Sequence, residues 1–285
     1  MHITSAVSTE IFRMTSNSRA ARFWLILPAL LVASIGASAQ SDPDAGTDAG
    51  PAANPGRPTV STPATLTPVG YLQFESGVLG AQRSPEFADR TAFNEVIKFA
   101  PLKRLQFIVQ TEPLVGSDLG DHSSRDPGGV SLGMQVVLAP GKGHRPTISA
   151  SYFRSVYGGT APDLDIGSSR NSAIILVSTD FGKFHIDTNY MFNEQIDQAV
   201  HRGQFGQTLS VSHPIRGKLG FGAEIWHFTQ PFQQSNCVGL LMGPTWTARP
   251  YLVLDAGFNR GLTSTSTRWE FFAGVTYLLP KKLWK

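Results

Sequence analysis

The stretch Phe184 to Glu194 reads Phe-His-Ile-Asp-Thr-Asn-Tyr-Met-Phe-Asn-Glu. Phe184, Ile186, Thr188, Tyr190 and Phe192 fall on one face of an extended chain, and His185, Asp187, Asn189, Met191 and Asn193 on the other. Side chains alternate across a strand, so the stretch predicts a β-strand with one face for hydrocarbon and one for water. Its length suits a tilted strand crossing a bilayer, about 9–11 residues. Alternation alone fits a soluble sandwich equally well. The rest of the chain has to orient it.

About twelve such segments follow Pro68, roughly 69–79, 91–100, 105–112, 130–138, 146–155, 172–180, 184–194, 204–213, 218–228, 238–247, 251–259 and 268–279. Connections after even-numbered segments are short: Pro101–Arg104, Phe181–Lys183, Pro214–Gly217, Ala248–Pro250 and the somewhat longer Ala139–Arg145. Those after odd-numbered segments are longer and more polar: Gly80–Arg90, Pro113–Gly129, Val156–Asn171, Gln195–Gly203, Thr229–Cys237 and Arg260–Thr267. An even strand number with short turns on one side and long loops on the other is the pattern of bacterial transmembrane barrels, the short side being periplasmic. Lys103, Arg104, Lys142, Arg145, Lys183, Arg216, Lys218 and Arg249 cluster in or beside the short turns, while cations are scarce within the strands. A solvated face of a soluble sheet would use them freely.

The predicted lipid faces include Leu72/Phe74/Val78, Leu105/Phe107/Val109, Val130/Leu132/Met134/Val136/Leu138, Leu219/Phe221/Ala223/Ile225 and Phe271/Ala273/Val275. The opposite faces are small or polar, as in Gln73/Glu75/Gly77, Gln106/Gln110/Glu112, Ser131/Gly133/Gln135, Thr208/Ser210/Ser212 and Gly220/Gly222/Glu224. Twelve strands make a barrel too wide for one face to fill as an apolar core, so the polar face lines a lumen. Pairs such as Phe184 with Phe192, Tyr251 with Phe258 and Trp269 with Tyr277 sit near strand ends on one face, as interfacial girdles require.

The first residues read as a targeting segment. Arg13, Arg19 and Arg22 precede an apolar run from Phe23 to Ile35, and Ala37-Ser38-Ala39 is a small-residue cleavage site. The expectation is a signal peptide over 1–39 with cleavage after Ala39, then a disordered Pro/Ala/Gly-rich periplasmic linker over 40–68, then an outer-membrane barrel over 69–285. Such a linker lacks the apolar surface to order itself. No cysteine directly follows the apolar run, which argues against a lipoprotein anchor, and Cys237, the only cysteine, has no intrachain partner. Removing Arg13, Arg19, Arg22 and Glu10 from 24 basic and 21 acidic residues leaves 21 and 20. A net charge of +1 gives no support for a nucleic-acid partner. Mean hydropathy of −0.08 argues against a helical membrane bundle.

Three short motifs carry a family resemblance: Thr67-Pro68 leading to Glu75-Ser76-Gly77, Pro101-Leu102-Lys103-Arg104-Leu105-Gln106-Phe107, and Gly128-Gly129-Val130-Ser131-Leu132-Gly133. Over most of the chain after residue 60 the sequence resembles outer-membrane transporters of the meta-pathway phenol-degradation family. The resemblance implies an all-β, antiparallel transmembrane barrel passing small aromatic or apolar molecules.

The residues expected to line a lumen or solute pathway are Glu75, Glu112, His185, Asp187, Asn189, Glu224, Asp255 and Glu270, with Lys98 and His185 as counter-charges. An acidic lining would favour cations. The alternative is a set of carboxylates paired through protons, waters and hydroxyls inside a narrow barrel. If 184–194 and 204–213 form a hairpin whose facing positions sum to 397, His185 opposes Ser212 and Asp187 opposes Ser210. Ser, His and Asp on one face are the ingredients of a hydrolytic triad, which geometry must establish. No catalytic residue is assigned on composition alone. His185 and Asp187 are too few ligands for a closed metal site. No Walker loop, His-Glu-x-x-His or cysteine pair is present, so no cofactor is expected.

Three functions remain open from sequence: a channel or transporter for small molecules, an outer-membrane lipid or lipopolysaccharide hydrolase, and a structural or adhesive barrel with a closed lumen. The last would place its function in outer loops such as Pro113–Gly129, with Asp118, Asp121, His122, Arg125 and Asp126. The expected partners are outer-membrane lipid, a small-molecule solute and the barrel-assembly machinery during biogenesis. Nothing in the sequence sets an oligomeric state.

Overall fold

A computed structural model describes residues 51–142, 145–164, 169–197 and 199–284. The expected signal segment and the first part of the expected linker, 40–50, lie outside the described residues. The strands are β1 (Leu72–Gln82), β2 (Asp89–Leu102), β3 (Leu105–Asp118), β4 (Ser123–Asp126), β5 (Val130–Ala139), β6 (Thr147–Tyr157) and β7 (Ser169–Phe181). They continue with β8 (Phe184–Asp197), β9 (Val200–Arg216), β10 (Leu219–Phe228), β11 (Cys237–Arg249), β12 (Leu252–Gly261) and β13 (Trp269–Leu278).

Each strand except β4 pairs antiparallel with its sequence neighbours, β3 pairs with β5, and β1 pairs with β13. The result is a closed barrel of twelve strands, with β4 an extra strand on the extended end of β3. Closure pairs both edges of each of the twelve barrel strands, which a strand in hydrocarbon requires. All twelve expected segments fall on barrel strands.

The barrel is apolar outside and polar inside. Val78 is 57% exposed and Phe192 60%, whereas Gln73 and Gln135 are fully buried. The faces read from alternation hold on β1, β5, β8, β10 and β13, with Phe184, Tyr190 and Phe192 outward and Asn189, Met191 and Asn193 buried. Aromatic contacts form at both ends. Phe184 meets His213 and Tyr251 meets Tyr277 at the short-turn end, and Phe192 meets Phe205 and Phe258 meets Trp269 at the other.

Beyond residues 51–68, three features differ from the sequence reading. The expected loop 195–203 is largely strand, because β8 and β9 continue as a hairpin to Asp197 and Val200. The expected loop 113–129 contains β4, paired with Val115–Asp118. Their polar side chains break the apolar alternation, but ladder hydrogen bonds need only backbone. Third, the inner wall is not uniformly small or polar. Ile108, Phe153, Ile174, Leu176, Met191, Trp226 and Phe228 are buried in one cluster.

The largest difference concerns residues 51–68, expected to belong to a disordered periplasmic linker. The described part of that segment enters the lumen and packs there. Ser61 and Ala64 are fully buried and Thr67 is 2% exposed.

Candidate functional site: a plugged lumen

The segment 51–68, called the plug below, follows the inner wall strand by strand. Ala53 N–H donates to the Pro250 carbonyl in a short turn (2.8 Å), which places its entry at that end of the barrel. Arg57 then reaches Asp255 of β12 at 3.4 Å. The backbone N–H groups of Val60 and Ser61 and the Ser61 hydroxyl donate to the Glu224 carboxylate of β10 at 2.7, 2.8 and 2.7 Å. The Ser61 hydroxyl also lies 2.7 Å from that of Thr208 on β9. Thr62 exchanges two hydrogen bonds with the Asn189 amide of β8 (2.7 and 2.9 Å), which imitates a backbone bridge. Ala64 N–H donates to Ser178 on β7, and the Ala64 carbonyl accepts from Ser149 on β6 and Gln135 on β5. Thr67 donates twice to Gln106 on β3. From Arg57 onward the strands are met in falling order, each through a polar inward side chain.

That arrangement explains how a segment without an apolar pattern becomes ordered. Buried backbone polar groups must be paired, and here the wall supplies the partners. Pro55, Pro58 and Pro63 carry no N–H and so remove donors that would otherwise need one. Val60 and Ala64 add contacts to the inner apolar cluster. Gly77 and Gly274 make the seat for Arg57: a Cβ at either would lie 2.5 Å from its guanidinium group.

The residues expected to line a solute pathway thus have specific places. Glu224, Asn189 and Asp255 bind the plug. Glu75 pairs with Lys98 at 2.5 Å and accepts from the plug N–H of Gly56 at 3.1 Å. Glu112 pairs with Arg90 at 2.6 Å. Glu270 accepts from Asn259, whose other amide atom accepts from Trp226. Asp187 accepts from Ser178 at 2.5 Å and contacts His185 at 3.2 Å. Cations therefore neutralise much of the supposed acidic lining. Lys98 was legible in the sequence as a counter-charge. Arg57 and Arg90 were not, because one sits in the apparent linker and the other at an apparent loop edge.

His185 faces Ser212 and Asp187 faces Ser210 across β8 and β9, in the register expected. Geometry does not make them a triad. The His185 Nδ1 lies 2.7 Å from Asp180 and its Nε2 3.2 Å from Asp187, so both ring nitrogens are directed at carboxylates. A nucleophile would need one of them as its base. Cys237 is a buried free thiol. Among the described residues no group of three or more His, Cys, Asp or Glu could hold a metal ion.

Beside the plug lies a cavity of about 450 Å³. Plug residues Arg57, Val60 and Thr62 form one wall, β1–β3, β5 and β6 the others, and Asp163 and Leu164 of the long connection after β6 border it. Its polar side holds Arg90, Asn94, Lys98 and Glu112, and its apolar side Val60, Val96, Ile108 and Phe153. Arg90 is braced by Glu112 and the Pro162 carbonyl, and among the described residues its Nη1 and the Asn94 Oδ1 are buried without a hydrogen-bond partner.

No family model matches the chain, and no curated protein matches it. Solved structures of similar shape do exist. An outer membrane channel from Pseudomonas putida F1 superposes with a TM-score of 0.56 at 12% identity, over 76% of this chain and 98% of that one. The NanC porin gives a TM-score of 0.52 at 9% identity, over 72% of this chain and all of the other. The shared feature is the fold. This chain has the architecture of outer-membrane channel barrels.

Proposed function

We propose that the protein is an outer-membrane channel for small amphipathic molecules, gated by its own N-terminal plug. The observation that carries this reading is the cavity against the plug, with an apolar wall opposite a fixed cation. Small-ligand sites are typically concave, about 300–1,000 Å³, and mostly apolar with a few placed polar groups. An aromatic or apolar body fits against Phe153, Ile108 and Val96, and a polar or anionic substituent against Arg90 and Asn94. That cargo class agrees with the meta-pathway family resemblance. The plug is held by polar contacts to the wall, which water can replace at a net cost of roughly 0.5–1.5 kcal/mol per neutral hydrogen bond and about 1.5–3 kcal/mol for those to a charged group.

The test compares the full chain with a deletion of 51–66 in planar bilayers. The full chain is expected to show small, discrete conductance and the deletion a several-fold larger one. Adding benzoate or benzyl alcohol is expected to block current in the full chain, more weakly after Arg90→Gln for benzoate. Silence from both folded proteins overturns the channel reading.

A further inference from the structure

Charge is distributed unevenly between the two ends of the barrel. The eight cations of the short turns are all exposed, and Lys281 and Lys282 after β13 lie at the same end, where the Leu283 N–H donates to the Gly70 carbonyl. Among the described residues Asp180 is the one exposed carboxylate there, and His185 contacts it at 2.7 Å. The long-loop end is mixed, with Asp89, Asp118 and Glu194 beside Arg83, Arg125 and Arg202. A twelve-stranded barrel with strands about 4.8 Å apart and tilted about 40° has a wall radius of roughly 12 Å. The Debye length is about 30 Å at 0.01 M salt and about 10 Å at 0.1 M, so in dilute salt the field of the basic ring covers the mouth. Rings of Lys and Arg favour anions.

Inside the lumen the plug offsets the opposite sign. Its one charged residue, Arg57, lies 3.4 Å from Asp255. Its backbone N–H groups at Gly56, Val60 and Ser61 donate to Glu75 and Glu224. With the plug seated, Glu75, Glu224 and Asp255 are 2%, 2% and 6% exposed. The remaining compensation is built into the wall. Glu75 has Lys98, Glu112 has Arg90, Asp187 has His185, and Glu270 accepts from Asn259. Glu224 and Asp255 are therefore the lumen carboxylates whose partners come from the plug. Withdrawing it bares two negative charges to the pathway and takes away the positive charge of Arg57.

We propose that the plug sets the charge selectivity of the pore. With the plug seated, the basic ring outweighs a compensated lumen, and the pore prefers small anions, carboxylates such as benzoate among them. With the plug withdrawn, Glu224 and Asp255 face the pathway and the preference turns to cations. The proposal rests on the channel reading and adds to it which sign of solute each state of the plug admits.

Reversal potentials under a tenfold KCl gradient, in planar bilayers of phosphatidylcholine, test it. A mouth potential of about one kT enriches one sign roughly threefold, so the full chain is expected to favour chloride roughly threefold between about 10 and 100 mM KCl and less between about 0.1 and 1 M. The 51–66 deletion is expected to favour potassium. Asp42, Asp44 and Asp48 precede the plug, outside the described residues, and are common to both proteins, so the difference isolates 51–66. Arg57→Gln in the full chain, which needs no deletion, is expected to move the reversal potential the same way by a smaller step. Glu224→Gln with Asp255→Asn in the deletion is expected to abolish the potassium preference. Lys183→Gln, Arg216→Gln and Lys218→Gln together in the full chain are expected to weaken the chloride preference in dilute salt. Heat-modified gel mobility confirms folding of each variant. One reversal potential shared by the full chain, Arg57→Gln and the deletion overturns the proposal. So does a potassium preference that survives Glu224→Gln with Asp255→Asn, or a chloride preference that the ring variant leaves unchanged. Silent bilayers from both folded proteins overturn the channel reading itself, and this proposal with it.

Discussion

Glu224 is the residue on which the plug's seating turns. It is 2% exposed and accepts from two plug N–H groups and one plug hydroxyl. Hydrogen bonds to a charged group contribute about 1.5–3 kcal/mol each, and buried donors left unpaired cost more than their partners' mean worth. Glu224→Ala is therefore expected to unseat the plug and raise single-channel conductance toward that of the deletion, while Glu224→Gln, which still accepts through one oxygen, falls between. Indistinguishable current traces for Glu224→Ala and the parent would remove Glu224 from this role. Asn189 is a related case. On alternation alone an arginine there would project into an open lumen and be tolerated. In the structure Asn189 is fully buried against Thr62, so Asn189→Arg is expected to displace the plug while the barrel still folds. On the opposite face the sign reverses. Val177 pairs with Thr188, midway between the rings at Phe184 and Phe192, on the same outward face as Ile175. Val177→Arg is expected to destabilise the barrel by roughly 2–4 kcal/mol in urea unfolding from vesicles, and Ile186→Arg, two residues from the Phe184 girdle, by closer to 0–1.

At the scale of the element, the strands and the plug are built on different principles. Each strand is determined locally by its own alternation and its neighbour's. The plug is an extended segment whose partners come from β1, β3, β5, β6, β7, β8, β9, β10 and β12. Removing it leaves all twelve barrel ladders intact, so the 51–66 deletion is expected to retain heat-modifiable mobility and a strand-rich circular dichroism spectrum. Loss of folded barrel on deletion would show instead that the plug is part of the core. Gly274 gives a subtler test of the same element. A side chain there collides with the Arg57 guanidinium, which pairs with Asp255. Gly274→Val is expected to raise conductance without abolishing folding, since valine itself favours strands.

At the scale of the molecule, the barrel's two ends are chemically distinct. The turns at 103–104, 182–183 and 217–218 are short and basic, and the other end carries the β3–β4 and β8–β9 extensions. In Gram-negative cells expressing the protein, Asp121→Cys is expected to react with a membrane-impermeant maleimide and Lys183→Cys to stay unlabelled. Cys237 is buried and adds little background. The opposite labelling pattern would invert the assignment of the ends.

Alternation in the sequence specifies the barrel: its twelve barrel strands and its two faces, with the β8–β9 register following once a hairpin is assumed. Those properties depend on a period of two repeated in each segment, and the apolar face has nowhere to go but lipid once the polar face is enclosed. It also marked Glu75, Asn189, Glu224 and Asp255 as inward. Tertiary structure alone decided what those side chains do. Residues 51–68 have no period to read, and their order comes from partners 19 to 198 positions away, most of them brought together only when the barrel closes. The inward cluster of Trp226, Phe228 and Leu176 was hidden for the same reason, since an apolar residue on a polar face finds its partners only across the closed lumen.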